Sequence, residues 1–389
     1  PEAMELFADL DLSLLETAPS LAGNRYIWKG KKLHALPSSP ISGLTTPLFS
    51  WKDKFGILFE PIRPKGKDPE ETLTSFVKRR LGTSILEYAV DPFVSGVYAG
   101  SPDTIIPKYA LPKLYALEEN YGSFIRGSIK KMKEPKTPRD KKATKKVFSA
   151  KGGFSCLIEK LTQEIGMENI SLGLEKCKVR LDENGYIVSA NELENKFSHV
   201  VFCGSARRLE ESFSFLAEEG LQDAFQITYT SVMEVAVGFK NWKGRPLDGF
   251  GALMPSKEKR KILGILFLSS LFSGRAPKGG AMLSVFMGGI RHPEYLKLSD
   301  AEVFEMVKKE IQETLCVTDF SPELFEITRH EMAIPQYDKT TPARMAAFAK
   351  AESMHPGLIL GGNGIGGIGM ADRIRQGKEM ALRIVGENS

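Results

Sequence analysis

The stretch LILGGNGIGGIGMADRIRQGKEMALRIV, residues 358–385, decides the fold of this chain. A short apolar run leads into a cluster of glycines, and the glycines lead into a segment with helical spacing. Glycines allow a backbone to approach a flat or anionic ligand closely, and the free N–H groups at a helix start favour negative charge. The pattern therefore predicts a strand, a ligand-binding turn and a helix. The apolar residues that can share one helix face are Ile374, Ala381, Ile384 and Val385.

Taken alone, this stretch also fits an ordinary glycine-rich turn between a strand and a helix. It is not the usual dinucleotide fingerprint, because no βαβ unit with an acidic partner for a ribose follows it in the sequence. Other segments of the chain are needed to choose between these two interpretations.

The composition is that of a globular protein with more than one hydrophobic core. Of the 389 residues, 42% are hydrophobic and 26% are charged, which is ordinary for such proteins. The 4 cysteines and 5 histidines show neither a CxxC pair nor metal-ligand spacing, so we expect no disulfide framework and no metal site. No apolar run reaches the roughly 18 residues that a membrane-spanning helix needs.

Positive charge is concentrated between Arg126 and Lys151, where Glu134 and Asp140 are the only acidic residues. Two interpretations remain open. The segment is either a solvated loop or a patch that meets an anionic membrane surface, where each basic residue contributes about 1 kcal/mol. Nucleic-acid binding is not favoured, because aromatic residues are not interleaved with the charges and no known reading motif is present.

Hydrophobic periodicity divides the rest of the chain. Residues 3–16 and 69–90 carry helical spacing, and residues 300–315 predict an amphipathic helix. The segment NRYIWKGKK, residues 24–32, predicts two short strands around a Lys29–Gly30 turn. Several strand-like stretches between residues 227 and 289 predict one large sheet.

Four segments, taken in order, resemble a single family. They are RYIWKGKKLHALPSSP (25–40), DPFVSGVYAGSPD (91–103), FSAKGGFSCLIEKL (148–161) and GGNGIGGIGMADRI (361–374). The family is protoporphyrinogen oxidase, including its coproporphyrinogen III-oxidising bacterial branch, and the resemblance covers essentially the whole chain. The first two segments are specific to it, whereas the glycine-rich ending would also fit amine oxidases and carotenoid desaturases.

The resemblance implies a mixed α/β flavoprotein fold of the amine-oxidase type, with a Rossmann-like FAD-binding domain. That domain would be discontinuous, comprising residues 1–19, 147–215 and 351–389. A helical domain that contacts substrate and membrane would span residues 20–146, and a sheet-based substrate domain residues 216–350. The family's GxGxxG turn lies upstream of this sequence, so the N-terminal βαβ unit is expected to be absent and FAD to bind poorly or not at all.

The resemblance also assigns substrate-binding residues. Arg25 matches an arginine that faces a propionate of the tetrapyrrole, a task for which a planar guanidinium is suited. Leu253, Leu266 and Phe286 match apolar positions that line the pocket of the macrocycle. Gly96 matches a glycine whose carbonyl lies near the reacting ring system.

For the cofactor, Ile368, Gly369 and Met370 match backbone positions beside the isoalloxazine ring of FAD. Cys177 stands where the family has an aliphatic residue whose main chain contacts the adenine. A helix start beside the flavin would stabilise the anionic reduced ring, while the redox chemistry belongs to the cofactor. The resemblance requires no side-chain acid or base, and the sequence offers no candidate pair.

The implied activity is the FAD-dependent oxidation of protoporphyrinogen IX to protoporphyrin IX in haem biosynthesis, with oxygen as acceptor and hydrogen peroxide as product. Three alternatives stay open: oxidation of coproporphyrinogen III, another flavin oxidase acting on amines or carotenoids, and a catalytically inactive scaffold. The expected partners are the porphyrinogen, a membrane surface, a ferrochelatase that receives the product and a second copy in a homodimer, but not nucleic acid. The expected location is cytoplasmic, peripherally associated with the membrane.

Overall fold

The computed structural model describes residues 1–17, 21, 23–135, 137–142 and 146–387. The strands are β1 (Leu14–Glu16), β2 (Arg25–Lys29), β3 (Lys32–Ala35), β4 (Phe148–Ala150), β5 (Lys178–Asp182), β6 (Gly185–Ala190), β7 (Leu193–Phe197), β8 (Val200–Phe202), β9 (Tyr229–Phe239), β10 (Gly251–Leu253), β11 (Gly264–Leu266), β12 (Ala281–Gly288), β13 (Leu324–Pro335) and β14 (Leu358–Leu360).

The helices are α1 (Glu2–Asp9), α2 (Pro40–Thr45), α3 (Trp51–Leu58), α4 (Leu73–Arg80), α5 (Thr83–Ile85), α6 (Asp91–Tyr98), α7 (Pro107–Ala110), α8 (Pro112–Tyr121), α9 (Phe124–Lys133), α10 (Pro138–Lys142), α11 (Ser155–Ile165), α12 (Ala206–Ser212), α13 (Phe215–Glu218), α14 (Leu268–Leu271), α15 (Asp300–Leu315), α16 (Thr341–Met354) and α17 (Met370–Glu387). A π-helical segment, Leu86–Val90, joins α5 to α6.

A seven-stranded sheet forms the largest core. Its order is β13-β9-β12-β11-β10-β2-β3, and all neighbours are antiparallel except β10 and β2, which are parallel. Successive side chains of a strand point to opposite faces, and in β9 the fully buried Met233, Val235 and Val237 alternate with partly exposed residues. The buried face packs in one cluster with Val303 and Val307 of α15. The opposite face, named the open face below, carries the partly exposed side chains of Leu253, Leu266 and Phe286.

The helical layer between residues 73 and 133 is held together by buried charges. Arg80 is fully buried and donates hydrogen bonds to Glu60 Oε1 at 3.2 Å and to Glu118 Oε1 at 2.6 Å. Glu60, also fully buried, accepts from the backbone N–H of Phe124 at 2.9 Å and from the hydroxyl of Ser123, at the start of α9. The network therefore fixes α4, α8 and α9 relative to one another.

The glycine-rich ending lies in a separate part of the molecule. Strand β14 pairs in parallel with β8, with Leu358 opposite Val200. The loop of residues 361–369 follows β14, and α17 begins directly after it. Strands β5, β6 and β7 form an antiparallel meander nearby in the sequence. The predicted order of strand, glycine loop and helix is confirmed.

Several local predictions needed correction. Helix α1 ends at Asp9, and residues 14–16 form β1 instead of continuing the helix, because Asp11 takes a left-handed φ of 51° that interrupts it. In the β2–β3 hairpin the turn residues are Gly30 and Lys31, both with positive φ, one position later than the Lys29–Gly30 turn predicted.

The basic segment is not a single loop. Residues 124–133 form α9 and residues 138–142 form α10, while residues 136 and 143–145 lie outside the described residues. The domain boundaries proposed from the sequence stay a prediction. Hairpin β2–β3, which they group with the helices, pairs with β10 and so extends the large sheet.

Candidate functional site

The sheet register brings the predicted substrate-binding residues onto the open face. Residues directly opposite each other on neighbouring strands share a face. Leu253 pairs with Gly264, and Gly264 pairs with Phe286. Two residues along β10, and therefore on the same face, Gly251 lies opposite both Arg25 of β2 and Leu266 of β11. Arg25, Leu253, Leu266 and Phe286 therefore line one surface, although they come from four strands.

Helix α6 covers one end of this surface. A Cβ atom on Gly96 would lie 2.5 Å from Cδ2 of Leu253, so any larger residue at this position would displace the Leu253 side chain from its place on the sheet. Phe93 and Val97 lie on the same side of α6 as Gly96 at helical spacing and are 41% and 43% exposed. Apolar side chains of α6 and the sheet thus form two walls that meet at Gly96.

Gln336 and Tyr337 connect this surface with the glycine loop. The Gln336 side chain donates a hydrogen bond to the carbonyl of Tyr98, at the end of α6, at 2.9 Å. The Tyr337 hydroxyl accepts from the N–H of Gly367 at 2.8 Å and donates to the carbonyl of Asn363 at 3.0 Å. Because burial raises the pKa of Tyr337, this hydroxyl keeps its proton. The two neighbouring residues therefore connect α6 with the glycine loop.

Two arginines, one fully buried and one partly buried, bind carbonyls of the loop. Arg344 is fully buried and donates to the carbonyl of Gly364 at 3.2 Å. Arg373 donates to the carbonyl of Ile365 at 2.8 Å and to that of Gly362. Burial lowers the pKa of both arginines. With its carbonyls bound from one side, the loop has a fixed shape at the start of α17.

The loop fits a flavin. A Cβ atom on Gly362 would lie 3.0 Å from the carbonyl oxygen of Cys203, and one on Gly367 would lie 2.5 Å from the Asp372 carboxylate, while both glycines have positive φ. Gly369 is exposed at the start of the 18-residue helix α17. A backbone without side chains at the positive end of a long helix suits a flat ring that becomes anionic on reduction.

The predicted cofactor residues occupy two places. Ile368, Gly369 and Met370 form the junction of loop and helix, and Ile368 packs against the cluster that contains Tyr98 and Tyr337. Cys177 is partly buried directly before β5, on the meander and not on the loop. The assignment of these residues, and of the substrate-binding set, to FAD and substrate stays a prediction.

Sequence reasoning missed the residues that support the site: Gln336, Tyr337, Arg344 and Arg373. One of them, Arg344, can be recognised in the sequence. Arg344 stands on α16 at helical spacing with three buried residues, Ala347, Phe348 and Ala351, so a charged residue occupies an apolar face. A buried arginine in that position requires acceptors, which here include the carbonyls of Gly364 in the loop and of Gln226 outside it.

The comparison with known proteins decides the family. A profile of the family described as "Flavin containing amine oxidoreductase" matches residues 1–385. The chain belongs to this family. It is an FAD-dependent oxidoreductase, and the predicted amine-oxidase type of fold and the FAD cofactor are confirmed.

Relatives of this flavin amine oxidoreductase carry a more specific name. The chain is 30% identical to protoporphyrinogen oxidase 2 of Arabidopsis thaliana, over 99% of this chain and 82% of the relative. It is 28% identical to protoporphyrinogen oxidase of Homo sapiens, over 94% of this chain and 80% of the relative. A crystal structure from Exiguobacterium sp. 255-15, provisionally assigned as a protoporphyrinogen oxidase, superposes with a TM-score of 0.80 at 20% identity, covering 98% of this chain and 84% of that chain.

Replacing Tyr337 with phenylalanine should lower the affinity for FAD by about tenfold. The change removes the hydroxyl that binds Gly367 and Asn363, and an unsatisfied buried polar group costs about 1–3 kcal/mol. Titration with FAD measures the effect. Tyr295→Phe is the matched control, because the Tyr295 hydroxyl is buried and has no hydrogen-bond partner within the described residues. Equal FAD affinity of the two variants would contradict the supporting role of Tyr337.

Proposed function

We propose that this flavoenzyme oxidises protoporphyrinogen IX to protoporphyrin IX. The observation that carries the proposal is the open face, on which Leu253, Leu266 and Phe286 form an apolar wall with Arg25 at its edge. A large, mostly apolar macrocycle with a few carboxylates suits such a surface. The relatives named protoporphyrinogen oxidase support the same substrate class.

Arg25 supplies the charge that a propionate needs. Its side chain is exposed, lies over the ring of Phe250 with 5.3 Å between guanidinium carbon and ring centroid, and makes no ion pair with any described residue. A guanidinium of this kind can bind a carboxylate with two parallel hydrogen bonds. Arg25 therefore orients the macrocycle by one edge while the apolar wall holds its face and excludes water.

Protoporphyrinogen IX fits this surface better than coproporphyrinogen III. It carries half as many propionates, and vinyl groups replace the others. On the described strands β3, β2, β10, β11, β12 and β9, the cationic side chains of the open face are Arg25, Lys29 and Lys32. The Lys29 ammonium already donates to the carbonyls of Pro47 and Leu48, and Lys32 lies on the edge strand β3, at the turn end of the hairpin. An apolar wall with one cation, Arg25, at its border favours the substrate with fewer carboxylates.

When bound, the flavin supplies the hydride acceptor, and molecular oxygen takes the electrons to give hydrogen peroxide. The deciding assay offers both porphyrinogens to the flavin-loaded protein and follows porphyrin fluorescence and hydrogen peroxide together. We expect a higher kcat/KM with protoporphyrinogen IX. A higher kcat/KM with coproporphyrinogen III would make that compound the substrate. If neither porphyrinogen is oxidised, the protein is an inactive binding protein or an oxidase of another substrate.

We also propose that the protein contacts a membrane peripherally. Within the described residues, none of the helices is long and apolar enough to cross a bilayer. Helix α3 instead exposes Trp51, Phe55 and Leu58 on one side, with 63%, 56% and 68% of each residue exposed. Exposed apolar side chains in such a cluster are typical of an interaction surface. The cytoplasmic location, the ferrochelatase and the homodimer stay predictions.

Replacing Trp51, Phe55 and Leu58 together by serine should weaken vesicle binding by more than about tenfold, because each buried apolar side chain contributes about 1.5–3 kcal/mol. Co-sedimentation with anionic and neutral vesicles measures it. Leu193→Ser, at an exposed leucine of β7, should bind like the unchanged protein. Salt should weaken only the binding to anionic vesicles, through screening of the basic residues of α9. Unchanged binding of the triple variant would exclude α3 as the anchor.

A further inference from the structure

The open face carries a carboxylate that the proposed function has not used. Glu234 lies in the middle of β9, directly opposite Phe286 of β12, and so shares a face with Leu253 and Phe286. Its neighbours on β9, Met233 and Val235, point the other way and are fully buried in the core. Glu234 is itself half-buried, so its carboxylate stands within an otherwise apolar wall.

This carboxylate is held in position from one side. Ser284, which is 1% exposed, donates its hydroxyl hydrogen to Oε1 of Glu234. Within the described residues, Oε2 has no hydrogen-bond partner and no cation pairs with Glu234. Because Glu234 is only partly buried, water can reach its second oxygen in the free protein. A large apolar ligand on the wall would displace that water, and the carboxylate would then need N–H or O–H donors from the ligand itself.

Glu234 and Arg25 stand at opposite sides of the apolar wall. Strands β10, β11 and β12 separate β2 from β9, so the two backbones lie four strand spacings apart, or about 19 Å. Leu266 and Phe286 lie between them. A macrocycle anchored by a propionate at Arg25 would therefore extend across these apolar side chains, with its ring nitrogens towards Glu234.

We propose that Glu234, positioned by Ser284, accepts hydrogen bonds from pyrrole N–H groups of the bound tetrapyrrole and makes the site prefer porphyrinogen to porphyrin. The inference rests on the proposed function. In a porphyrinogen every ring nitrogen carries a hydrogen, whereas in the aromatic porphyrin half of the nitrogens are acceptors. An anionic acceptor binds the first arrangement and repels lone pairs of the second. Glu234 thus distinguishes substrate from product on the same apolar wall.

Glu234→Gln tests the inference, because the amide keeps the size and can still accept from Ser284 but lacks the charge. We expect KM for protoporphyrinogen IX to rise about tenfold with kcat changed by less than about twofold, since hydrogen bonds to a charged group are stronger than neutral ones. The affinity for protoporphyrin IX, measured by its fluorescence, should stay equal or increase. Ser284→Ala should raise KM by about threefold, because the carboxylate is then no longer fixed.

Glu326→Gln is the matched control. Glu326 is an exposed carboxylate of β13 on the same face, opposite Ala236 and outside the wall, and its replacement should change neither constant. Circular dichroism and melting temperature verify that each variant is folded. An unchanged KM for protoporphyrinogen IX in Glu234→Gln would overturn the role of Glu234, and so would an equal loss of affinity for substrate and product. Either result would leave the proposed function standing. If the unchanged enzyme oxidises no porphyrinogen, the proposed function and this inference fail together.

Discussion

Replacing Arg25 with alanine should lower kcat/KM for protoporphyrinogen IX by about ten- to a hundredfold, mainly through KM. A hydrogen bond from a charged donor to a carboxylate contributes about 1.5–3 kcal/mol, and 1.4 kcal/mol corresponds to one factor of ten. Arg25 is exposed at the start of β2, so flavin content and melting temperature should hardly change. Steady-state kinetics with porphyrin fluorescence provides the measurement.

Two comparisons separate substrate binding from a general effect of Arg25. Arg25→Lys should recover only part of the loss, because the ammonium keeps the charge but cannot form two parallel hydrogen bonds. A substrate esterified at its propionates should be nearly indifferent to Arg25→Ala. Arg180→Ala, which breaks an exposed ion pair with Glu194 on the meander, should leave kcat/KM unchanged. An equal loss with free acid and ester would remove Arg25 from the site.

Replacing Arg80 with methionine should reduce the free energy of unfolding by about 3–5 kcal/mol. The change leaves Glu60 and Glu118, both buried, without the guanidinium that they share, and removal of one partner from a buried pair has this cost. Denaturant unfolding, followed by circular dichroism, measures the loss. Because the network connects α4, α8 and α9, the first structure to open should be the helical layer.

An exposed ion pair provides the reference for this stability change. Lys308 and Glu305 form a pair on the surface of α15 with 3.3 Å between nitrogen and oxygen, and Lys308→Met should cost less than about 0.5 kcal/mol. A similar loss of unfolding free energy in the two variants would show that the buried Arg80 contributes no more to stability than an exposed ion pair. The double replacement of Arg80 and Glu60 should be less destabilising than the sum of the single ones, because no unpaired charge remains at that end of the network.

The parts of the fold that depend on local pattern could be predicted. The helix predicted over residues 300–315 has the observed bounds of α15, since its apolar spacing follows a capping box formed by Ser299 and Glu302. Strand β9 follows alternation of buried and partly exposed residues in the same way. Residues 14–16 could not be predicted, because β1 exists only through its pairing with β4, more than a hundred residues later.

The site shows the same division between local and distant information. Arg25, Leu253, Leu266 and Phe286 were assigned through the resemblance, and no periodicity would have placed them on one face, because that depends on the register of four strands. Tyr337 and Arg344 act through contacts with the loop of residues 361–369 that exist only in the folded chain. Glu234 looks in the sequence like any polar residue of an alternating strand.

The parallel pairing of β2 with β10 gives the protein a high contact order. Arg25 meets Gly251 only after the chain between them, with the helical layer and the meander, has been brought back to the same edge. Closing so long a segment costs entropy that is recovered only when the contact forms, so pairings of this kind slow folding and come late in it. The proposed propionate site at Arg25 is therefore expected to form late in folding, so that an immature chain would offer the proposed substrate no place to bind.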